Sequence, residues 1–338
     1  MKKFVIYNSI IIFTVGIFSL GGICIFFSVP PSNGEELIEV ITIKPGASVT
    51  RLSIVLKEKK IIRSRHFFYF LARLRGVDTS IKFGEYQLSN RMSSNEVLNK
   101  IIRGEQIKYS ITIPEGLTLV QIAKLYYKKG LAEKDEFIQL ATDSEFAASL
   151  DINEGTLEGY LFPDTYKFIR DIGARNIICC MVQRFKEVYD EKIRARAKAI
   201  HFSQRKVLTL ASMIEKETAN AEEKNLISAV FHNRLKKNMR LQCDPTVIYG
   251  LDAFNGKLTK KDLNIYTPYN TYLIDGLPPT PICNPGMGSI RAALYPAAVG
   301  YLYFVSRNDG THYFSTTLSE HNHAVNKYQR FSRKIKSR

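Results

Sequence analysis

Two carboxylates interrupt an otherwise apolar helical stretch, Lys206-Val207-Leu208-Thr209-Leu210-Ala211-Ser212-Met213-Ile214-Glu215-Lys216-Glu217-Thr218. Helical spacing places residues 208, 211, 212 and 215 on one small apolar face. Residues 210, 213, 214 and 217 form a second apolar stripe. A carboxyl on a packed face loses hydration, which costs the ion more than the acid and raises the pKa. An acid that stays protonated near neutral pH is what cleavage of a glycosidic bond requires. Glu215 and Glu217 both meet this description, and periodicity does not separate them. The plain alternative is a Glu at a helix end that simply faces water.

Polar, proline-rich segments follow: Asn233-Arg234-Leu235, then Met239 to Gly250, then Tyr266 to Tyr272, then Gly276-Leu277-Pro278-Pro279-Thr280-Pro281-Ile282. Their amides and hydroxyls suit a groove for sugars, and they suit a structural cap equally well. Asn233, Gln242, Asp244, Asn270 and Tyr272 are the candidates for holding substrate. Asp244 is also the carboxylate available as a second acid in a hydrolase, although Asp-Pro equally marks a turn. Other chemistries are weakly supported. His321 and His323 form a sparse metal pattern. Ser212 lacks the context of a nucleophile elbow. Cys179, Cys180, Cys243 and Cys283 show no C-x-x-C spacing, so a zinc site is unsupported. A Cys243–Cys283 disulfide has nothing in the sequence to favour it. No metal or organic cofactor is implied.

The elements upstream contain a repeat. Residues 41–72 match residues 111–142 at a constant offset of 70: Ile41-Thr42-Ile43 with Ile111-Thr112-Ile113, Gly46 with Gly116, Ser48 with Thr118, Phe67 with Phe137. Each copy reads as an alternating strand, a glycine turn, a Ser/Thr cap and two helices. The first copy continues into a returning strand over 82–88 and a helix from Ser93 or Ser94 to about Ile102, ending at Gly104. Such a βααβ unit resembles the LysM modules that hold peptidoglycan sugars; a plain spacer is the alternative. Residues 151–172 are irregular and aromatic, and their Pro and Gly exclude a regular helix. Residues 173–200 return to helical periodicity.

Phe4 to Val29 is a run of 26 residues without charge, ended by Pro30-Pro31. About 20 apolar residues span a bilayer. Lys2 and Lys3 precede the run and Glu35 and Glu36 follow it, which orients the N-terminus to the cytoplasm and the rest outside. The run is long for a cleaved leader. Globally, 48 Lys and Arg stand against 32 Asp and Glu in 338 residues. That charge favours an anionic polymer or surface, and an external location argues against nucleic acid. The composition excludes global disorder and a disulfide-dense scaffold.

The motifs together resemble a known family. Ala211 to Thr218, Phe231-His232-Asn233-Arg234-Leu235, Arg240 to Gly250, Tyr269-Asn270-Thr271-Tyr272, Gly276-Leu277-Pro278-Pro279, Tyr301 to Val305, His312-Tyr313-Phe314 and His321-Asn322 look like the endolytic murein transglycosylase (MltG, YceG-like) family. The likeness runs from the apolar segment to about Tyr328. Cys243 departs from the pattern where related chains often carry Thr, and it is read as a flanking position without effect on the chemistry. The resemblance implies a membrane-anchored lytic transglycosylase that cuts the β-1,4 bond between N-acetylmuramic acid and N-acetylglucosamine in nascent strands. It places the essential acid at Glu215, which would protonate the leaving oxygen. The resulting carboxylate would then take the proton of the C6 hydroxyl, which closes a 1,6-anhydro ring. It also implies peptidoglycan as partner, a peptidoglycan synthase beside it, and an inner-membrane location with the catalytic region periplasmic. The competing reading is a non-catalytic scaffold that binds peptidoglycan.

The expected fold is α+β. The expected segments are a tail and anchor at 1–30, a linker at 31–40, LysM-like units at 41–108 and 109–172 (the latter with the aromatic loop), a catalytic domain at 173–330 and a basic tail at 331–338.

Overall fold

The repeated segments fold the same way because the same positions demand the same backbone. Gly46 and Gly116 take φ of 74° and 78°, and Lys60 and Gly130, also 70 apart, take 57° and 65°. These left-handed turns suit glycine because it has no Cβ to clash. Ser48 and Thr118 then cap the following helices, accepting hydrogen bonds from the backbone N–H groups of Arg51 and Gln121. The computed structural model describes Gly22, residues 25–32 and residues 34–331. It is mixed α+β, with short two-stranded sheets among many helices.

The chain divides into two compact units. One is residues 1–109 with 167–171; the other is 110–166 with 172–338. In the first, β1 (Ile38–Ile43), α1 (Val49–Glu58), α2 (Arg65–Leu74) and β2 (Gly84–Ser89) form the expected βααβ order. β1 and β2 pair antiparallel, with Ile41 opposite Tyr86 and Ile43 opposite Gly84. α3 (Ser94–Arg103) follows, opened by a capping box from Ser93 and Glu96 and closed by Gly104 in the left-handed conformation. Ile41, Leu56, Phe68, Tyr86, Leu98 and Ile101 meet in its core.

The second unit carries α4 (Leu119–Lys128), α5 (Lys134–Ala141) and α6 (Ser144–Ser149), with β3 (Tyr109–Thr112) from Ser110 onward and β4 (Thr165–Phe168) as far as Tyr166. β3 pairs with β4, so part of the aromatic segment read as irregular is the returning strand of the second repeat. Then come α7 (Ala174–Val188), α8 (Glu191–Ala199), α9 (Gln204–Glu217), α10 (Lys224–Lys236), α11 (Asp244–Gly250), α12 (Met287–Leu294), the hairpin β5 (Tyr303–Ser306) and β6 (His312–Ser315), and α13 (Leu318–Val325). The second repeat and the carboxylate-bearing helix therefore share one unit. α9 packs against α8, α10, α11 and α12, and all its residues from Val207 to Ile214 are buried. A helix apolar all round belongs in a core.

Most of the apolar run Phe4–Val29 lies outside the described residues. Among those described, no helix is long and apolar enough to cross a membrane.

Candidate active site

The two carboxylates of α9 both lie in its last turn, where the helix dipole opposes negative charge. Their surroundings differ. Glu215 turns into a closed polar cluster. Its carboxylate accepts from Lys224 Nζ at 3.2 and 3.3 Å, from Ser289 Oγ at 2.6 Å and from the Gly286 N–H at 3.1 Å. The side chains of Glu215 and Lys224 are each only 8% exposed. Lys224 also meets Glu115 at 3.7 Å. That carboxylate comes from the glycine turn of the second repeat. Gly286 makes room for it, since a Cβ there would lie 1.8 Å from Glu115 Oε1. Both carboxylate oxygens of Glu215 are thus engaged by donors.

Glu217 instead lines a cleft of about 430 Å³ with Arg234, Gln242, Asp244, Tyr272, His312 and His321. It keeps some exposure to this cleft, but dense packing around it strips most of its hydration and pushes its carboxyl up to about 7. Nearby Asp244 pushes in the same direction, while a hydrogen bond donated by the Cys243 thiol opposes both. The surroundings expected of Glu215 thus belong to Glu217, because the turn from 215 to 217 carries the side chain from the α10–α12 side of the helix to the cleft.

The candidate substrate-holding residues separate into two groups. Gln242, Asp244 and Tyr272 reach the cleft. Tyr272 donates its hydroxyl to Asp244 Oδ1 at 2.6 Å. Gln242 sits at a φ of 50°, unusual for a side chain with a Cβ, and accepts from Arg234 at 3.2 Å. Asn233 and Asn270 do structural work instead. The Asn233 amide bonds the carbonyls of Val299 and Tyr301 at 2.8 and 2.9 Å. Asn270 is fully buried and bonds the carbonyls of Leu263 and Ile265 and the Tyr272 N–H, which shapes the loop that presents Tyr272. The Gly276-Leu277-Pro278-Pro279 segment lines a different cavity, with Phe202, Arg205, Lys206 and Thr209.

Three site residues were not singled out from sequence. Arg234 is buried beside the cleft. Its guanidinium donates to the carbonyls of Leu302, Arg240 and Leu241 at 2.7 to 3.1 Å and lies over the Tyr303 ring. His312 lines the cleft from β6. Cys243 is the third, for its thiol bonds the cleft carboxyl rather than merely flanking the motif. Because that donor stabilises the carboxylate, Cys243→Ala raises the Glu217 pKa. Cys243→Ser keeps it in place, and titration of the Glu217 carboxyl by NMR in the two variants checks both. The described cysteines are all free thiols, so Cys243 and Cys283 form no disulfide.

Glu158 fastens the second repeat to the rest of its unit. It accepts from the Leu119 N–H at the start of α4, from Asn284 and from Tyr249. Its complete burial pushes the carboxyl up to about 8 against these donors. Asn284 in turn accepts from the N–H groups of Gly159 and Leu161, so its side chain helps hold the stretch of the aromatic segment ahead of β4.

A YceG-like family profile matches residues 41–327. The chain belongs to the YceG-like family. An endolytic murein transglycosylase of Bacillus subtilis is 35% identical over 321 residues, which covers 88% of this chain and 87% of that one. An endolytic murein transglycosylase of Streptococcus pneumoniae is 28% identical over 330 residues, 87% of this chain and 59% of its own length. The crystal structure of a yceG-like protein from Listeria monocytogenes superposes with a TM-score of 0.60 at 38% identity, covering 86% of this chain and all of that chain.

Proposed function

We propose that this YceG-like protein is an endolytic peptidoglycan lytic transglycosylase whose proton donor is Glu217, not Glu215. The observation that carries the assignment is a desolvated carboxyl, pushed up to about 7, exposed to a cleft lined by amide, hydroxyl and imidazole groups. Glu215 is already saturated by a lysine, a hydroxyl and a backbone N–H, which supports a structural role for it. The named activity of the relatives supports the substrate, a strand of alternating N-acetylmuramic acid and N-acetylglucosamine.

In this reading Glu217 gives its proton to the glycosidic oxygen as the C1–O4 bond breaks. The carboxylate then takes the proton of the C6 hydroxyl as O6 bonds to C1. One carboxyl serves both steps because the nucleophile belongs to the substrate. A retaining hydrolase needs a second carboxylate about 5 Å away. Asp244 is the alternative for that role, and its bond from Tyr272 supports a structural use. Mass spectrometry of digested strands decides: 1,6-anhydromuramic ends are expected, and reducing ends heavier by one water would make the protein a hydrolase. Intact strands would return it to the scaffold reading.

The uncharged run 4–29 and the charges that flank it support a single-pass anchor with residues 31–338 outside the cytoplasmic membrane. Deletion of residues 1–30 is expected to move the protein from the membrane to the soluble fraction. Persistence in the membrane fraction would remove the anchor. Cutting of nascent strands outside that membrane fits a place beside a peptidoglycan synthase, which the family resemblance implies.

A further inference from the structure

A second carboxylate reaches the cleft through an intermediary. Glu223, which precedes α10, accepts two hydrogen bonds from His312, the backbone N–H at 2.8 Å and Nδ1 at 2.7 Å. The two side chains are 10% and 11% exposed. Phe304 meets the imidazole edge to face at 5.5 Å, which fixes the ring plane. A carboxylate on Nδ1 sets the tautomer, so that Nε2 is the acceptor when the ring is neutral. Among the described residues Nε2 has no hydrogen-bond partner. Its ring lines the same cleft as Glu217.

The chemistry of the product narrows what this acceptor meets. The departing O4 and the attacking O6 occupy the same face of C1, so the single carboxyl of Glu217 handles both of their protons. A second acceptor has a different proton to manage. The acetamide of the muramic residue supplies one. When its carbonyl oxygen adds to C1 from the opposite face, an oxazolinium ion forms and the amide N–H becomes acidic. We propose that His312, oriented by Glu223, accepts the hydrogen bond of this acetamide N–H and stabilises the oxazolinium as it forms. The proposal rests on the transglycosylase reading of the cleft.

The step balances. The acetamide oxygen bonds to C1 while the C1–O4 bond breaks, and the Glu217 proton goes to O4. O6 then bonds to C1, the acetamide oxygen leaves, and the O6 proton goes to the Glu217 carboxylate. The N–H proton shifts toward Nε2 in the first half and returns in the second. His312 touches the substrate; Glu223 acts through it as a positioning residue. Glu223→Gln presents an N–H to Nδ1 and selects the wrong tautomer, a substitution costly in serine proteases.

The test uses the full chain and two strand substrates, one native and one de-N-acetylated at the muramic residues, with release of anhydro ends as readout. On native strands His312→Gln and Glu223→Gln are each expected to lower kcat about 100-fold, with KM little changed. On de-N-acetylated strands, where the wild-type protein is itself slow, the variants are expected to match it to within about twofold, because the group they serve is gone. Thermal melting establishes that each variant folds, and a folded Glu223→Gln carries the test if His312→Gln does not fold. Equal losses on both substrates, or wild-type rates in both variants, overturn the proposal. Absence of anhydro ends from the wild-type protein on native strands overturns the underlying reading instead.

Discussion

Glu217→Gln keeps the fold and lowers the release of anhydro ends by roughly 10³–10⁴-fold, at the upper end of what removal of a general acid costs. Gln preserves the size of the side chain and its ability to accept from Cys243, so the helix end is undisturbed. What disappears is the proton. The pH dependence carries the same information. With the carboxyl pushed up to about 7, the donor is protonated below that pH and ionised above it. The wild-type rate therefore falls as pH rises past about 7, approaching tenfold per unit, and the residual rate of Glu217→Gln lacks that limb. Glu215→Gln is expected to retain it, with its loss of activity following its loss of folded protein. A folded, inactive Glu215→Gln beside an active Glu217→Gln would give the proton back to Glu215.

Lys224→Met is expected to destabilise the second unit by roughly 3–5 kcal/mol, the range for breaking one partner of a buried ion pair. Lys224 is the cation between Glu215 and Glu115, and its loss strands a carboxylate that is 8% exposed at the unfavourable end of α9. Met fills the aliphatic volume, so the loss is electrostatic and not a cavity. Adding Glu215→Gln to Lys224→Met removes the stranded charge, keeps the bonds to Ser289 and Gly286, and recovers much of the loss. Urea unfolding of the single and double variants measures both. A Lys224→Met protein as stable as wild type would mean that Glu215 is not held as a buried ion. Because Glu115 belongs to the second repeat, this cluster also ties that repeat to α9.

The arrangement explains why two carboxylates in one helix turn have such different surroundings. Two residues of rotation, about 200° at 3.6 residues per turn, send Glu215 toward α10 and α12 and Glu217 toward the cleft. The first is neutralised by a lysine nine residues later. Among the described residues the second has no cation paired with it, and loss of hydration, with Asp244 adding to it, pushes its carboxyl up to about 7.

The local pattern was legible in the residues themselves. The offset of 70 predicted two matching strand–turn–helix units, because left-handed turns and hydroxyl caps depend on single residue types. The same holds for the Ser93 cap and the Gly104 stop of α3, and for a buried helix over 206–218. The apolar stripe did narrow the acid to two carboxylates. What the sequence left open is which of them is paired, since that depends on Lys224, on Ser289 and Gly286, and on Glu115 converging from three separate segments. The family resemblance implies Glu215; the proposal of Glu217 rests on side-chain direction, which a motif read as a string does not carry. Asn233 and Asn270 looked like sugar-binding amides and bond backbone carbonyls instead. Arg234, Cys243 and His312 stand within the quoted motifs without a legible role, because their roles arise only where α10, the Gln242 loop and the β5–β6 hairpin close around the cleft. Periodicity and turn chemistry are short-range and are written in neighbouring residues. Desolvation and pairing of charge are set by atoms distant in the chain, and only the tertiary structure brings those together.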